Sequence, residues 1–482
     1  MNIPKEVKEI LKKLKDNSFE GYIVGGCVRD FLIGRNPEDW DATTNATPED
    51  LKKLFPNNFI NNDFGTVTVL TKAKEETVKE IEITPYRIES KYSDNRHPDE
   101  IKWAKTLEED LSRRDFTINA MAMDLKEKII DIYEGQKDLK KKIIKTVRNP
   151  KDRFEEDALR MMRAIRIATV LDFKIEKETL KAIKENSELL KRISQERIRD
   201  EFLKIINSER AYQGIELLRE TNLLQYIIPE LLEGYGVGQN KHHIYSIYEH
   251  NLLSLKYADK KNFNKYVKVA SLLHDIGKPK TKRGEGENST FYNHEIVGAN
   301  MTKKILERLK FPKKDIEKIY KLVRYHLFYY NVDEVTESSV RRLVTNVGKE
   351  NIDELLEVRM CDRIGSGVPK AEPYKLRHLR YLIDKTSQDA ISVSMLNISG
   401  EEIMKILDIK PGPKIGKIYN VLLAEALNDS KKNVKKYLTK RTKELGSINE
   451  EELIKLSKDS KEYKEKVETK KDNMTKEKYW VG

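Results

Sequence analysis

Asp39 and Asp41 stand one residue apart, shortly after the segment Gly25-Gly26-Cys27-Val28-Arg29-Asp30. On an extended strand, residues two apart face the same side, so these carboxylates can hold hard divalent cations jointly. The glycines let a backbone approach an anion, and a helix N-terminus with an arginine beside it adds positive field. Each feature taken alone also fits a structural turn or a solvated acidic pair. Histidines form a second concentration. Of eight in the chain, seven lie between His242 and His378, including His242, His243, His250, His274, His294 and His326. Asp275 directly follows His274.

The elements that must position these groups change character along the chain. Tyr22-Ile-Val runs into Gly25, Thr66 to Leu70 alternates with period two, and Val78, Ile81 and Ile83 sit among charged neighbours. These are half-buried strand patterns. From Asp138 onward Leu, Ile and Met recur at three and four residues, the period of helices. Proline and glycine cluster at joints such as Pro229, Gly234-Tyr-Gly236-Val-Gly238 and Pro411-Gly-Pro413. No repeat of fixed period is present. The division read from this texture is 1–140, 141–235, 236–385 and 386–482.

Composition narrows the classes. The 482 residues carry 92 Lys+Arg against 80 Asp+Glu, a net +12, and the mean hydropathy is −0.68. At roughly 150 residues per domain the length suggests about three domains. No apolar run reaches about 18 residues, which excludes a membrane-spanning helix. The N-terminus reads as a surface helix with no apolar signal core. Two cysteines, Cys27 and Cys361, are too few for a disulfide framework, so a reducing, cytoplasmic setting is expected. The surplus charge permits a polyanionic partner without requiring one. Residues 431–444 concentrate it, with seven basic groups against one acid and Tyr437 among them. That is a composition suited to an RNA backbone or to a solvated helix face.

Four motifs in order carry a family resemblance. Gly-Gly-Cys-Val-Arg-Asp is followed by Asp39-Trp-Asp41, then Arg113-Arg114-Asp115-Phe116-Thr117-Ile118-Asn119-Ala120-Met121-Ala122, then Glu156-Asp157-Ala158-Leu159-Arg160-Met161-Met162-Arg163-Ala164-Ile165-Arg166. The chain resembles the class II nucleotidyltransferases, which comprise tRNA CCA-adding enzymes and bacterial poly(A) polymerases. The implied fold is α+β: a small mixed α/β, polymerase-beta-like head, then an all-helical neck, body and C-terminal region. The resemblance implies that Asp39 and Asp41 hold two Mg²⁺ ions at the triphosphate and the attacking RNA 3′-hydroxyl. It places Gly26, Arg29 and Arg114 on the incoming nucleotide. Asp115 and Asn119 either reach the ribose or serve structure, as in an Asp115–arginine pair. Glu82 is either a third carboxylate near the metals or a solvated strand acid.

Glu156 to Arg166 is expected to be one helix, with Leu159, Met162 and Ile165 as its apolar stripe. In the family this helix is an amino-acid template. Asp157 would accept from the exocyclic amino group that C and A share, and Arg160 would donate to ring acceptors, which disfavours uracil. Arg163 and Arg166 extend the same positive site. Residues 87–98 resemble the flexible loop of full CCA-adding enzymes. The segment Ser271-Leu-Leu-His274-Asp275-Ile-Gly-Lys278 resembles the HD superfamily of metal-dependent phosphohydrolases, which implies His250, His274, Asp275 and Asp362 as ligands of a further divalent metal. His294 and His326 could complete a second site, with His242 and His243 as weaker candidates.

The function expected from this reading is template-independent building or repair of the tRNA 3′-terminal CCA from CTP and ATP. The partner would be the tRNA acceptor arm. Poly(A) polymerase and A-only addition are the alternatives within the family. An HD phosphohydrolase with the head as an RNA-binding module is the alternative of another class.

Overall fold

Val7, Ile10, Leu11 and Leu14 recur at three- and four-residue steps and bury one face of α1 (Lys5–Asp16). In the computed structural model, residues 2–60, 65–90, 100–240, 244–328, 330–332, 334–367, 370–387 and 396–481 are described. The head is built on a seven-stranded mixed sheet. Its strands are β1 (Gly21–Val24), β2 (Asp41–Thr44), β3 (Asn58–Ile60), β4 (Val67–Leu70), β5 (Glu80–Pro85), β8 (Met121–Met123) and β9 (Ile129–Asp131), in the order β3-β4-β5-β2-β1-β8-β9. Between β5 and β8, β6 (Arg87–Ser90) and β7 (Glu100–Trp103) form a separate antiparallel pair. Helices α2 (Gly26–Leu32), α3 (Pro48–Leu54), α4 (Leu107–Ser112) and α5 (Gly135–Lys141) complete the head. Both α3 and α4 start at capping boxes, Thr47 with Asp50 and Thr106 with Glu109, which satisfy the first free backbone donors.

The sequence strand around Val78 begins later than its alternation suggests. Val78 closes a short helical turn, and pairing starts at Glu80. Within β5, Ile81 and Ile83 are buried and Glu82 faces the other way.

The helical region opens with α6 (Pro150–Glu156) and α7 (Leu159–Leu171). The single helix expected over 156–166 is therefore broken. Asp157 is extended (φ −144°, ψ 104°), and its Oδ1 accepts from the Leu159 backbone N–H at 3.0 Å. It restarts the helix as an N-cap residue does. Leu159, Met162 and Ile165 are buried as the stripe requires. Next come α8 (Lys177–Asn186), α9 (Gln195–Ile206), α10 (Ala211–Glu220) and α11 (Pro229–Leu232).

The histidine-rich body uses α12 (Ile247–Lys260), α13 (Lys265–Leu273), α14 (Lys278–Thr281), α15 (His294–Arg308) and α16 (Lys313–Tyr325). Beyond it lie α17 (Glu337–Val347), α18 (Ile352–Gly365), α19 (Tyr374–Ser387), α20 (Gly400–Leu407), α21 (Pro413–Asn428), α22 (Lys435–Ser447) and α23 (Glu450–Tyr479). The chain forms two compact units. One comprises residues 1–326 and 357–369, the other 327–356 and 370–482. The second unit has its own core, with Ile403, Ile418, Leu422, Leu438 and Leu453 at its centre. No described helix is long and apolar enough to cross a membrane.

Candidate functional site

The turn after β1 puts Gly25 at φ +87°, ψ −141°, a conformation open to glycine. A Cβ there would lie 3.2 Å from Arg114 Nη1 and 3.7 Å from Asp41 Oδ2, so the bare backbone faces a cation and a carboxylate at once. Gly26 opens α2 beside the Arg29 guanidinium. Arg29 grips Asp30 through Nε (3.0 Å) and Nη2 (2.8 Å), and its Nη1 donates to Asn119 Oδ1 at 2.8 Å. Asn119 Nδ2 donates to Asp115 Oδ1 at 3.1 Å, and Asp115 Oδ2 accepts from Arg163 Nε at 2.8 Å. Asp115 and Asn119 thus join Arg29 and Arg163 to each other. Burial works against the Asp115 charge, yet Arg163 and Asn119 hold its carboxyl at about 2.

Asp41 opens β2, paired with Glu82 on β5, whereas Asp39 lies in an exposed bend just before the strand. Burial, and then the charges of Asp39 and Glu82, raise the Asp41 carboxyl to about 7, while Arg114 and Arg163 pull it down. Asp41 with Asp39 and Glu82 beside it is a carboxylate donor set that suits a hard divalent cation. Arg114 Nη2 is 3.3 Å from Asp110 Oδ2, and Arg113 shares that fully buried carboxylate at 2.7 Å.

Between α6 and α7 the Arg160 backbone N–H donates to the Asp157 carbonyl at 3.0 Å, and both side chains have partners on other residues. Arg197 of α9 holds Asp157 at 2.7 and 3.3 Å. Arg160 is buried, its Nη1 on Glu156 and its Nη2 donating to the Arg113 carbonyl at 3.1 Å. Arg166 pairs with Glu201 at 3.1 Å. Asp110, Arg153, Arg197 and Glu201 escaped the reading of the sequence. Each is a charged residue on a helix, with nothing in its spacing to separate it from a solvated face.

The HD residues converge. His250 sits within α12, His274 and Asp275 just past α13, His294 at the start of α15, His326 at the end of α16, and Asp362 on α18. His274, His294 and His326 each donate Nδ1–H to the carbonyl three residues back (Ser271 at 2.8 Å, Phe291 at 2.7 Å, Val323 at 2.7 Å). In its neutral form each therefore presents Nε2 as the acceptor, the arrangement that orients metal-binding histidines. Asp275 Oδ2 is 3.1 Å from His250 Nε2 and 3.4 Å from His274 Nε2, and its Oδ1 is 3.3 Å from His294 and 3.6 Å from His326. Asp362 Oδ1 is 3.3 Å from His250 and 3.6 Å from His274.

Two donor groups result, His250–His274–Asp275 and Asp275–His294–His326, with Asp275 common to both. Gly277 makes this approach possible, since a Cβ there would lie 2.4 Å from the His294 carbonyl. Burial alone would lower the His274 imidazole; Asp275 and Asp362 outweigh it and raise it to about 10. Lys278 Nζ lies 2.6 Å from Asp275 Oδ2. The imidazole and carboxylate set fits a divalent transition metal or Mg²⁺.

The basic run 431–444 occupies a short turn and most of α22. Part of its charge is paired: Arg441 meets Glu425 and Glu444 at 2.8 Å each, and Lys435 meets Glu402. Lys431, Lys436, Lys440 and Lys443 are exposed. His242, His243 and the loop residues 91–98 lie outside the described residues.

Three family models match in order. They are the poly A polymerase head domain (21–145), the probable RNA and SrmB-binding site of polymerase A (172–234) and the HD domain (247–365). The CCA-adding enzyme of Ligilactobacillus salivarius (strain UCC118) is 45% identical over 229 residues, 47% of this chain and 55% of that protein. That of Enterococcus faecalis (strain ATCC 700802 / V583) is 44% identical over 240 residues, 49% and 57%. The chain spans about half the length of the curated relatives it matches.

Among solved structures, the CCA-adding enzyme of Bacillus stearothermophilus in complex with CTP aligns with a TM-score of 0.57 at 25% identity, covering 92% of this chain and 98% of that one. The Thermotoga maritima CCA-adding enzyme complexed with tRNA shares the fold, at a TM-score of 0.51 and 20% identity, covering 90% and 93%. The chain thus carries, in this order, regions matching the poly A polymerase head domain, that polymerase's probable RNA-binding region and an HD domain.

Proposed function

We propose that this chain builds or repairs the 3′-terminal CCA of tRNA, adding nucleotides from CTP and ATP and releasing pyrophosphate. The observation that carries the reading is the Asp39, Asp41 and Glu82 carboxylate group beside the Gly25–Gly26 turn. The naming of its relatives as CCA-adding enzymes, one solved with CTP, supports the same substrates. Asp39 and Asp41 would hold Mg²⁺. When bound, the cations supply the Lewis acidity that lowers the pKa of the attacking hydroxyl and neutralises the leaving pyrophosphate. The RNA 3′-oxygen forms a bond to the α-phosphorus, the bond to the β-phosphate bridging oxygen breaks, and the hydroxyl proton leaves to solvent. Arg29 and Arg114 neutralise the phosphates, with Gly26 giving the backbone access.

Asp157 and Arg160 read the base edge, and Arg163 and Arg166 extend the positive site. The tRNA acceptor arm would meet the helical regions by phosphate and 2′-hydroxyl contacts, which need no sequence motif. The functional division we favour is head 1–140, neck 141–235, HD body 236–385 and basic C-terminal region 386–482. Two buried free cysteines suit a reducing cytoplasm. The test is incorporation of labelled CTP into tRNA that ends before CCA. Asp39→Ala should abolish incorporation while retaining fold and tRNA binding, and normal incorporation would reject the assignment.

A second activity is favoured by one observation, the two donor groups sharing Asp275. We read the HD body as a divalent-metal phosphohydrolase acting beside the head. Phosphoester hydrolysis that survives Asp39→Ala but not Asp275→Asn supports it. Hydrolysis unchanged in Asp275→Asn excludes it.

A further inference from the structure

Arg153 lies on α6, one turn before the base-reading residues, and is buried. Its Nη1 donates to the Ser112 carbonyl at 3.2 Å, and its Nη2 pairs with Glu156 Oε1. The second Glu156 oxygen, Oε2, holds Arg160 Nη1. Arg160 Nη1 also donates to the Arg153 carbonyl at 3.2 Å, and its Nη2 reaches the Arg113 carbonyl at 3.1 Å. Ser112 and Arg113 immediately precede Arg114, which stands against Gly25 and Asp41.

One carboxylate therefore spans two arginines, and both arginines end on carbonyls of consecutive head residues. The linkage has a physical consequence. A glutamate side chain has three rotatable bonds, and a carboxylate left to itself samples several rotamers. Two guanidinium groups donating to it, each also donating to a backbone carbonyl of the head, remove that freedom, because the planar fork offers donors in set directions. The Arg160 guanidinium is then tied to the backbone that leads into Arg114, so its orientation is fixed relative to that arginine.

We propose that Arg153 is a positioning residue for base selection: by fixing Glu156 it aims Arg160 and sets the preference for C and A over U. The inference rests on the proposed role of Arg160 as a base reader. Donors aimed to within a few tenths of an ångström discriminate between hydrogen-bonding patterns. Donors free to swing accommodate the reversed pattern of uracil as well. Loss of Arg153 should therefore act on the choice between nucleotides more than on the transfer step, which depends on the distant carboxylates.

The experiment measures kcat/KM for CTP and UTP in single-nucleotide addition to tRNA ending before CCA, with the full chain and Mg²⁺. Wild type is compared with Arg153→Met, Arg153→Gln and Arg160→Met, and thermal unfolding is recorded for each. Glutamine can still donate to the Ser112 carbonyl but loses the fork on Glu156, so it remains informative if the methionine variant does not fold. The expected result is a CTP:UTP preference reduced about tenfold or more in both Arg153 variants, as loss of an aimed donor implies. An unchanged preference in a folded Arg153 variant, with a reduced one in Arg160→Met, overturns the positioning role and leaves base reading intact. An unchanged preference in Arg160→Met overturns base reading itself and this inference with it.

Discussion

Asp41 stands in register with Glu82 across the parallel strands β2 and β5, so the two carboxylates share a face of the sheet. Asp39 joins them from the bend that precedes β2. Adjacent strands hold the paired residues about 5 Å apart whatever their side chains. The sheet thus enforces a clustering of like charge that the acids would not choose. Glu82 is accordingly a member of the acidic group, although it is exposed on its strand.

Replacing Glu82 by Gln removes one donor and one repulsive charge. The Mg²⁺ concentration for half-maximal nucleotide addition should rise several-fold, with activity recoverable at high metal. Asp41→Ala should be beyond rescue. A metal titration for each variant decides, and an unchanged midpoint in Glu82→Gln would place that residue outside the site.

Asp41 also links stability to pH. Its carboxyl is raised from 3.8 to about 7 by burial and by its acidic neighbours, so between those values the folded state binds more protons than the unfolded one. Stability from this group is present below the unfolded value and lost as pH rises through the folded one. In metal-free protein, Asp41→Asn should therefore melt at a higher temperature than wild type at pH 8, and at the same temperature near pH 4. Scanning calorimetry in chelator tests this, and a lower melting temperature at pH 8 would be inconsistent with the raised carboxyl.

Gly25 is fixed by conformation and by space. An alanine would carry a strained backbone costing about 1–3 kcal/mol and would press on Arg114. Urea unfolding of Gly25→Ala should show that loss together with weaker nucleotide binding. Wild-type stability would mean the turn relaxes freely.

The HD centre makes a prediction about stoichiometry. Asp275→Asn should reduce affinity at both donor groups, whereas His294→Ala should affect only the group it shares with His326. Metal analysis after dialysis reads both. Because His274 is raised to about 10 and must become neutral to bind a metal, loading should release protons, and affinity should climb with pH. Calorimetry in two buffers of different ionisation enthalpy would detect the release, and its absence would argue that the imidazoles are already neutral.

Much of this was legible in the residues, for reasons that differ by site. The strand-turn-helix around Gly25 and the Asp39–Asp41 pair are local in sequence, so spacing alone exposes them. The broken helix at Asp157 was hidden because an apolar stripe at three-residue steps reads as unbroken whether or not one side chain caps a backbone N–H within it. Arg153 and Arg197 gain meaning from partners 41 and 40 residues away, contacts that no periodicity announces. Asp115 and Asn119 were visible as a motif, yet the choice between ribose contact and structure is tilted by their bonds to Arg163 and Arg29. His294 and His326 were seen as histidines, while the sharing of Asp275 is a property of packed helices.

Completion of CCA on tRNA through Asp39 and Asp41 is the proposed activity. Its most direct test is to incubate the purified chain with Mg²⁺, CTP, ATP and tRNA ending before CCA, then sequence the 3′ ends, with Asp41→Ala as control. The expected result is addition of C, C and A followed by a stop, and no addition by the variant. An open run of A, or ends extended equally by the variant, would contradict it.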